Sequence, residues 1–415
     1  MKCTKCRNMF VIMISLLLIH VSILSVSSEI LSPGVPIHSE RKEIVDSDLF
    51  DVQMRSLMFA SHTPSLTACI IKDGSLVWSK GYGYYDFSGL KQPSTDTIYQ
   101  VASISKTITA TAILQLYDQG LFNLDDDVNI YLPFSLRNPS YPDIPITFRH
   151  LLSHHASLHD HDEDAAYQYF AGDYPYSYVE ELLVPGGESY HKEFWGQYPP
   201  GSGGNYSNIG FVILGYLVEI ISGQDLEMYC KQHIFQPLQM DSTSFSMDGL
   251  DTSKMACSYI RVGRIYMKTP LIDYTFLDPC GGLLTTLEDL SHFLIAHMNN
   301  GYYEGCQLLK QETIQLVHKV QYPESAPYYG ILRFGLGWLI FEEESGVFSM
   351  GHDGDLSFYH ARMRLFDDNT SGIIYLFNRA VQPFVYRYIP SQIEYFSDVR
   401  IRQLLYEKAD HSMLL

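Results

Sequence analysis

The sequence predicts an α+β protein in which an antiparallel sheet is flanked by helices and a mainly helical lobe is inserted between the parts of the sheet. Three observations lead there. Strand patterns gather near both ends of the chain, in "LTACIIKDGSLVWSKGYGYYD" and again from "FGLGWLIFEE" to "GIIYLFNR". Between them, residues 121–270 carry helical periodicity, long polar connections and few strand signals. With 415 residues, 46% hydrophobic and 18% charged, the chain can bury one large core or a pair of interlocked lobes. The expected domain spans 29–415, with a helical lobe over about 100–270 and a sheet lobe over about 48–99 plus 271–415.

Taken in order, the first element is a leader. Lys2, Lys5 and Arg7 precede an apolar run from Met9 to Val26, and Val26, Ser27 and Ser28 suit cleavage before Glu29. Residues 1–28 are therefore expected to be a secretory signal that sends the protein outside the cell or into the secretory lumen. The run 9–26 is also nearly long enough to remain as a membrane anchor. The next two apolar runs flank Asp73-Gly74, both of which tolerate positive φ, and predict a hairpin. Ile104, Ile108, Ala112, Leu114 and Leu116 predict a helix over 104–119 ending at Gly120, with Ser103 on its first turn. "IGFVILGYLVEIISG" predicts a second helix over 209–223, and "TLEDLSHFLIAHMNNG" a third, with Thr286 as cap and Gly301 as stop. The last strand runs predict an antiparallel meander.

The formal charge of −19 excludes nucleic-acid and anionic-membrane binding, because both need a basic cluster and the Lys and Arg residues are scattered. Outside the leader, Cys69, Cys230, Cys257, Cys280 and Cys306 are an odd number, so at least one thiol is free, and an oxidising compartment leaves room for one or two disulfides of open connectivity. No Cys-x-x-Cys pair supports zinc or redox chemistry there. His154, His155, His159 and His161, set among Asp160, Asp162, Glu163 and Asp164, lack a metal-ligand spacing and read as a solvated loop, so no metal or cofactor is expected.

Chemistry enters with "VASISKTITA", where Ser103 stands three positions ahead of Lys106. An ordinary lysine is protonated at neutral pH and useless as a base, whereas a desolvated one can accept a hydroxyl proton. Alone, the pair equally describes an exposed helix start. "PPGSGGNYSNIGF" adds Tyr206 and Asn208 on a glycine-preceded loop before a helix, and "MGHDGD" adds His352 and Gly354 at the end of a strand-like run.

In this order and at these separations, Ser-x-x-Lys, Tyr-x-Asn and His-x-Gly resemble the three active-site elements of serine β-lactamase-like hydrolases. "ITFRHLLSH", "PLQMDSTSF", "GGLLTTLEDLSHF" and "GLGW" are similar to the family's connecting segments, so the likeness runs from about 48 to 380. Tyr-x-Asn, and His352 where Lys-Thr-Gly is usual, resemble the class C β-lactamase, penicillin-binding-protein-like esterase and D-aminopeptidase branch and its eukaryotic β-lactamase-like members. The resemblance implies the β-lactamase/transpeptidase-like fold and a Ser103 acyl-enzyme that opens an amide or ester of a small molecule or short peptide. It implies that Lys106 and Tyr206 hold and move the Ser103 proton, that Asn208 contacts Lys106 or the substrate amide, and that His352 orients Tyr206. It also implies an oxyanion hole built from the Ser103 and Asp355 backbone N–H groups, with Gly354 on the substrate side.

Three departures from that pattern stand out. Asp355 puts a carboxylate beside the expected oxyanion hole, "LSFYHARM" lacks the usual glycines, and Ala156-Ser157 replaces a usual Ser-Gly pair. Two further readings share the sequence: an acyltransferase using the same intermediate, and a catalytically silent binding protein, which the Asp355 carboxylate favours.

Overall fold

The computed structural model describes residues 40–160, 174–271, 275–328, 332–342, 348–381 and, near the C-terminus, 400, 401, 403–405 and 408; the leader, residues 1–28, lies outside them. The chain forms two compact units, Met1–Val52 and Gln53–Leu415, and the sheet, its helices and the site all belong to the second.

Strands β1 (Ser65–Lys72), β2 (Ser75–Gly83), β3 (Leu332–Phe334), β4 (Leu339–Glu342), β5 (Phe348–Asp355), β6 (Tyr359–Phe366) and β7 (Ser371–Asn378) form a seven-stranded sheet in the order β2-β1-β7-β6-β5-β4-β3. Every neighbouring pair is antiparallel. The N-terminal hairpin is thus joined to the C-terminal meander through β1 and β7, with Leu66 opposite Phe377 and Lys72 opposite Ser371. Asp73 and Gly74 close the hairpin at φ 48° and 72°, the left-handed values a two-residue turn needs to follow the strand twist. β1, β6 and β7 are buried at nearly every residue instead of alternating, because both faces of the central sheet are covered.

Helix α1 (Ser105–Asp118) packs on α2 (Asn208–Ser222), and α3 (Leu287–Met298) crosses β1, β6 and β7. α1 is buried around most of its circumference although it carries threonines. Each buried hydroxyl is satisfied by a carbonyl: Thr107 donates to Ile104 O (2.8 Å), Thr109 to Pro279 O (2.7 Å) and Thr111 to Thr107 O (2.8 Å). α2 starts where Ser207 Oγ accepts the Gly210 N–H (3.2 Å) and stops at Gly223, φ 73°. Thr286 Oγ1 caps α3 by accepting the Asp289 N–H (3.1 Å).

One expectation changes. Ser103 does not lie on the first turn of α1 but in a separate 3₁₀ turn, Ala102–Ile104, that precedes it. Ala102 holds φ 48°, which no ordinary helix start contains, and is kept there by Leu283 O accepting the Val101 N–H (3.0 Å) and by Ser105 Oγ donating to Ala102 O (2.6 Å). The five described cysteines are all free, four of them buried in the interior, so the room for disulfides is not used among the described residues.

Candidate active site

The site lies where the Ser103 turn meets α1, the start of α2 and the end of β5. Lys106 sits one turn beyond Ser103 and is fully buried. Its Nζ donates to Ser103 Oγ (3.0 Å), Asn208 Oδ1 (2.6 Å) and the Cys280 carbonyl (2.8 Å), so the ammonium form has all three protons placed. Burial nevertheless lowers Lys106 from 10.5 to about 8, against the pull of the Cys280 and Asp160 groups. Ser103 itself is half-buried and reachable.

Tyr206 hydrogen bonds Ser103 from the other side, and its ring lies 4.8 Å from Lys106 Nζ. Burial pushes its phenol well above the ordinary value, outweighing the Ser103 hydrogen bond. With Lys106 lowered and the Tyr206 phenol raised, the lysine gives up its proton nearer neutrality, even though the ring face against Nζ favours the ammonium form.

Two residues that the sequence reading left in a solvated loop shape this arrangement. His154 is buried, stacks on Tyr206 with ring centroids 4.5 Å apart, accepts the Ser207 N–H at Nδ1 (3.1 Å) and accepts the Asn205 N–H at its carbonyl (2.9 Å). It thereby clips the backbone on both sides of Tyr206. Asp160 receives the Asn208 N–H (2.8 Å to Oδ2) and the Ile209 N–H (3.4 Å to Oδ1), and also bonds the Asn208 side chain, turning its Oδ1 toward Lys106. Burial raises the Asp160 carboxyl, against the pull of those donors and of Lys106. The solvated-loop reading therefore fails for His154, His155 and Asp160, since His155 is also buried, with Nδ1 2.6 Å from Ser153 O; His161, Asp162, Glu163 and Asp164 lie outside the described residues. The available signal was "LLSHHASLHD" itself, whose apolar residues at 151, 152, 156 and 158 pull the intervening polar groups inward. Asp160→Ala is expected to slow acylation of Ser103 about 10-fold while costing about 1 kcal/mol of stability, the usual value of a lost N-terminal cap. Stopped labelling assays and thermal melts check both numbers.

Within "LLSHHASLHD", Ser157 adopts φ 58°, a conformation that glycine takes without penalty. Asn138 Nδ2 donates to its Oγ (2.8 Å) and its Oγ bonds Tyr198 O, so hydrogen bonds hold the backbone where the usual residue would need none.

β5 brings the third element. A Cβ at Gly354 would lie 2.0 Å from Val101 O and 3.2 Å from Ala102 Cβ, so only glycine lets the strand reach the Ser103 turn. In the β5–β6 ladder the Leu356 N–H bonds Tyr359 O, so Asp355, opposite His360, is a non-hydrogen-bonded position relative to β6. Its N–H points to the other edge of β5, where β4 covers only Phe348–Gly351. The Asp355 carboxylate does not stand alone: Arg362 Nη1 lies 3.1 Å and His360 Nδ1 2.5 Å from it. Partial desolvation raises this carboxyl, whose side chain is still 55% exposed, but Arg362 and His360 outweigh it and hold the carboxyl well below the carboxylate range. That pairing offsets the charge on which the silent-protein reading rests.

His352 is buried, and its ring stands 6.0 Å from that of Tyr206. Nδ1 is 2.6 Å from Asp353 O, while Nε2 has no hydrogen-bond partner among the described residues. His352 thus does not hold the Tyr206 hydroxyl; His154 and the Ser103 hydrogen bond position that ring. Among the described residues no group of three or more His, Cys, Asp or Glu side chains is placed to hold a metal ion.

An antiparallel sheet flanked by helices, with a serine, a buried lysine, a tyrosine and an asparagine converging at its edge, defines the β-lactamase/transpeptidase fold. The beta-lactamase family model matches residues 50–393, and the chain belongs to that family. Protein flp of Staphylococcus aureus (strain MW2) is 27% identical over 345 residues, covering 81% of this chain and 63% of that protein. Beta-lactamase-like protein 2 of Dictyostelium discoideum is 26% identical over 329 residues, covering 75% of this chain and 55% of that one. The chain therefore spans less than two thirds of the length of either. Among solved structures, the octameric penicillin-binding protein homologue from Pyrococcus abyssi matches with a TM-score of 0.68 and 27% identity, over 84% of this chain and 75% of its own. The D-amino acid amidase of Ochrobactrum anthropi SV3 shares the fold, with a TM-score of 0.65 and 17% identity over 86% and 99% of the two chains.

Proposed function

We propose that the protein is a serine hydrolase that opens an ester or amide through an acyl-enzyme on Ser103. The observation that carries this reading is Lys106 Nζ, buried, lowered to about 8 and 3.0 Å from Ser103 Oγ. In its amine form Lys106 accepts the Ser103 proton, and Oγ attacks the substrate carbonyl carbon. The carbonyl π pair moves to oxygen, where the Ser103 and Asp355 N–H groups receive the developing charge; such donors contribute about 3 kcal/mol each. Collapse of the intermediate expels the leaving group, which takes a proton relayed from Lys106 through Tyr206. Water then attacks the ester carbon and gives a proton to Lys106; the bond from that carbon to Oγ breaks, Lys106 passes the proton to Ser103 Oγ, and the acid leaves. Small esters are the preferred substrates, followed by D-amino-acid or short-peptide amides and then β-lactams. The reading extends to export through residues 1–28, with 9–26 as the alternative anchor.

Intact-mass analysis after exposure to a fluorophosphonate tests it. One adduct is expected, on Ser103, absent in Ser103→Ala; a folded wild-type protein that takes no adduct sinks the reading. The same spectrum reports whether the secreted chain begins at Glu29.

A further inference from the structure

We infer that His352 selects the acyl group of the substrate: Nε2 accepts a hydrogen bond from an N–H or O–H on an uncharged acyl chain and disfavours a carboxylate at the same place. This rests on the Ser103 acyl-enzyme reading and adds a substrate class to it.

The tautomer follows from geometry. Asp353 O is a pure acceptor, so the 2.6 Å contact requires the proton on His352 Nδ1, and Nε2 is left as a lone-pair acceptor. Nδ1 is tied back to the strand, so Nε2, on the far side of the ring, faces away from it. His352 and Gly354 share one face of β5, and that is the face that approaches the Ser103 turn. The residue is 1% exposed, and a buried acceptor with no partner among the described residues is a place where a ligand donor gains a hydrogen bond.

Charge points the same way. A carboxylate would need a cation here, yet Lys106 is engaged, and the two arginines of β6 lie on the opposite face of the sheet, paired there. Lys106 is held by Ser103, Asn208 and the Cys280 carbonyl. Arg364 pairs with Asp353 (2.5 Å) and lies 3.7 Å from the Phe341 ring centroid, and Arg362 bridges Asp353 (3.4 Å) and Asp355 (3.1 Å). Protonating His352 to supply a new cation is opposed first by burial and then by Lys106, which together lower it from 6.5 to about 3, against the pull of Asp353. His154, the other imidazole facing this space, is likewise held neutral by burial and by Lys106 and His352.

The test uses phenyl esters of succinamic, levulinic and succinic acid, which present NH₂, CH₃ and O⁻ at one position, together with the malonyl homologues. For wild type, kcat/KM is expected to favour the amide over the ketone by about 10-fold, with the carboxylate lowest. In His352→Phe the amide-to-ketone ratio is expected to fall toward one. His352→Gln, which offers both an acceptor and N–H donors, is expected to keep the amide preference and to relieve the penalty on the carboxylate. Wild-type ratios within 2-fold at both chain lengths, or ratios unchanged in His352→Phe, overturn the inference. Fluorophosphonate labelling of wild-type Ser103 separates the two failures: a labelled serine with flat ratios sinks the His352 inference alone, and an unlabelled serine sinks both.

Discussion

Lys106→Met is expected to reduce acylation of Ser103 by about 100- to 10,000-fold while leaving the protein folded, because a positioned general base contributes roughly 10²–10⁴ in rate. Stability is expected to change little, and two opposing terms explain why. Folding lowers Lys106 from 10.5 to about 8, so the folded chain holds this proton less tightly than the unfolded chain, at a cost below pH 8 of about 3 kcal/mol. Methionine removes that cost. It also strips Asn208 Oδ1 and the Cys280 carbonyl of their lysine donor, at roughly 1–3 kcal/mol for each group left unsatisfied. The terms nearly cancel, and differential scanning calorimetry is expected to show a Tm within a few degrees of wild type. The wild-type pH dependence follows with its sign: amine is the minor form below about 8, so acylation rises as pH rises through about 8 and then levels. Stability from this group also increases with pH between about 8 and 10.5, since the unfolded chain there binds the extra proton. A labelling rate independent of pH from 6 to 9 would remove Lys106 as the base.

Gly354→Ala is expected to damage both fold and chemistry. The added Cβ would meet Val101 O at 2.0 Å, and backbone lies on both sides of that contact, so no rotamer change relieves it. Overpacking of this kind costs about 1–3 kcal/mol. The strain also falls between the two proposed oxyanion donors, Ser103 N–H and Asp355 N–H. A displacement near 1 Å there costs on the order of 100-fold in rate. Gly281→Ala is the matched control: it flanks Cys280, and a Cβ on it would have no atom within 4 Å. The expected outcome is a lower Tm and at least a 100-fold loss of kcat/KM in Gly354→Ala, with Gly281→Ala near wild type. Equal melting temperatures for the two variants would show that β5 and the Ser103 turn are not in register-defining contact.

The elements legible in the sequence were those with local causes. Asp73-Gly74 closes its hairpin because those two residues tolerate positive φ. α2 and α3 run between Ser207 and Gly223, and from Thr286, because caps act within one turn. The Ser103–Lys106 contact was legible because both lie on one stretch of chain. His154 and Asp160 were misread because their polarity outweighed the apolar residues beside them; only a packed neighbour, Tyr206 or the free N–H groups of α2, gives them a buried role. The state of the cysteines was left open for the complementary reason, since pairing depends on distances that spacing in the chain does not report.

By itself, then, the sequence determined the strand and helix order, the turn that closes the hairpin, and which residue types meet at the site. Tertiary structure decided their protonation and their orientation. Lys106 is lowered because the sheet and helices strip water from it, the Asp355 carboxylate is offset because β6 places Arg362 and His360 beside it, and His352 Nε2 is left without its proton because Nδ1–H is held by a carbonyl of its own strand. Desolvation and pairing act through space, between residues as far apart in the chain as 106 and 280, and no local pattern encodes them.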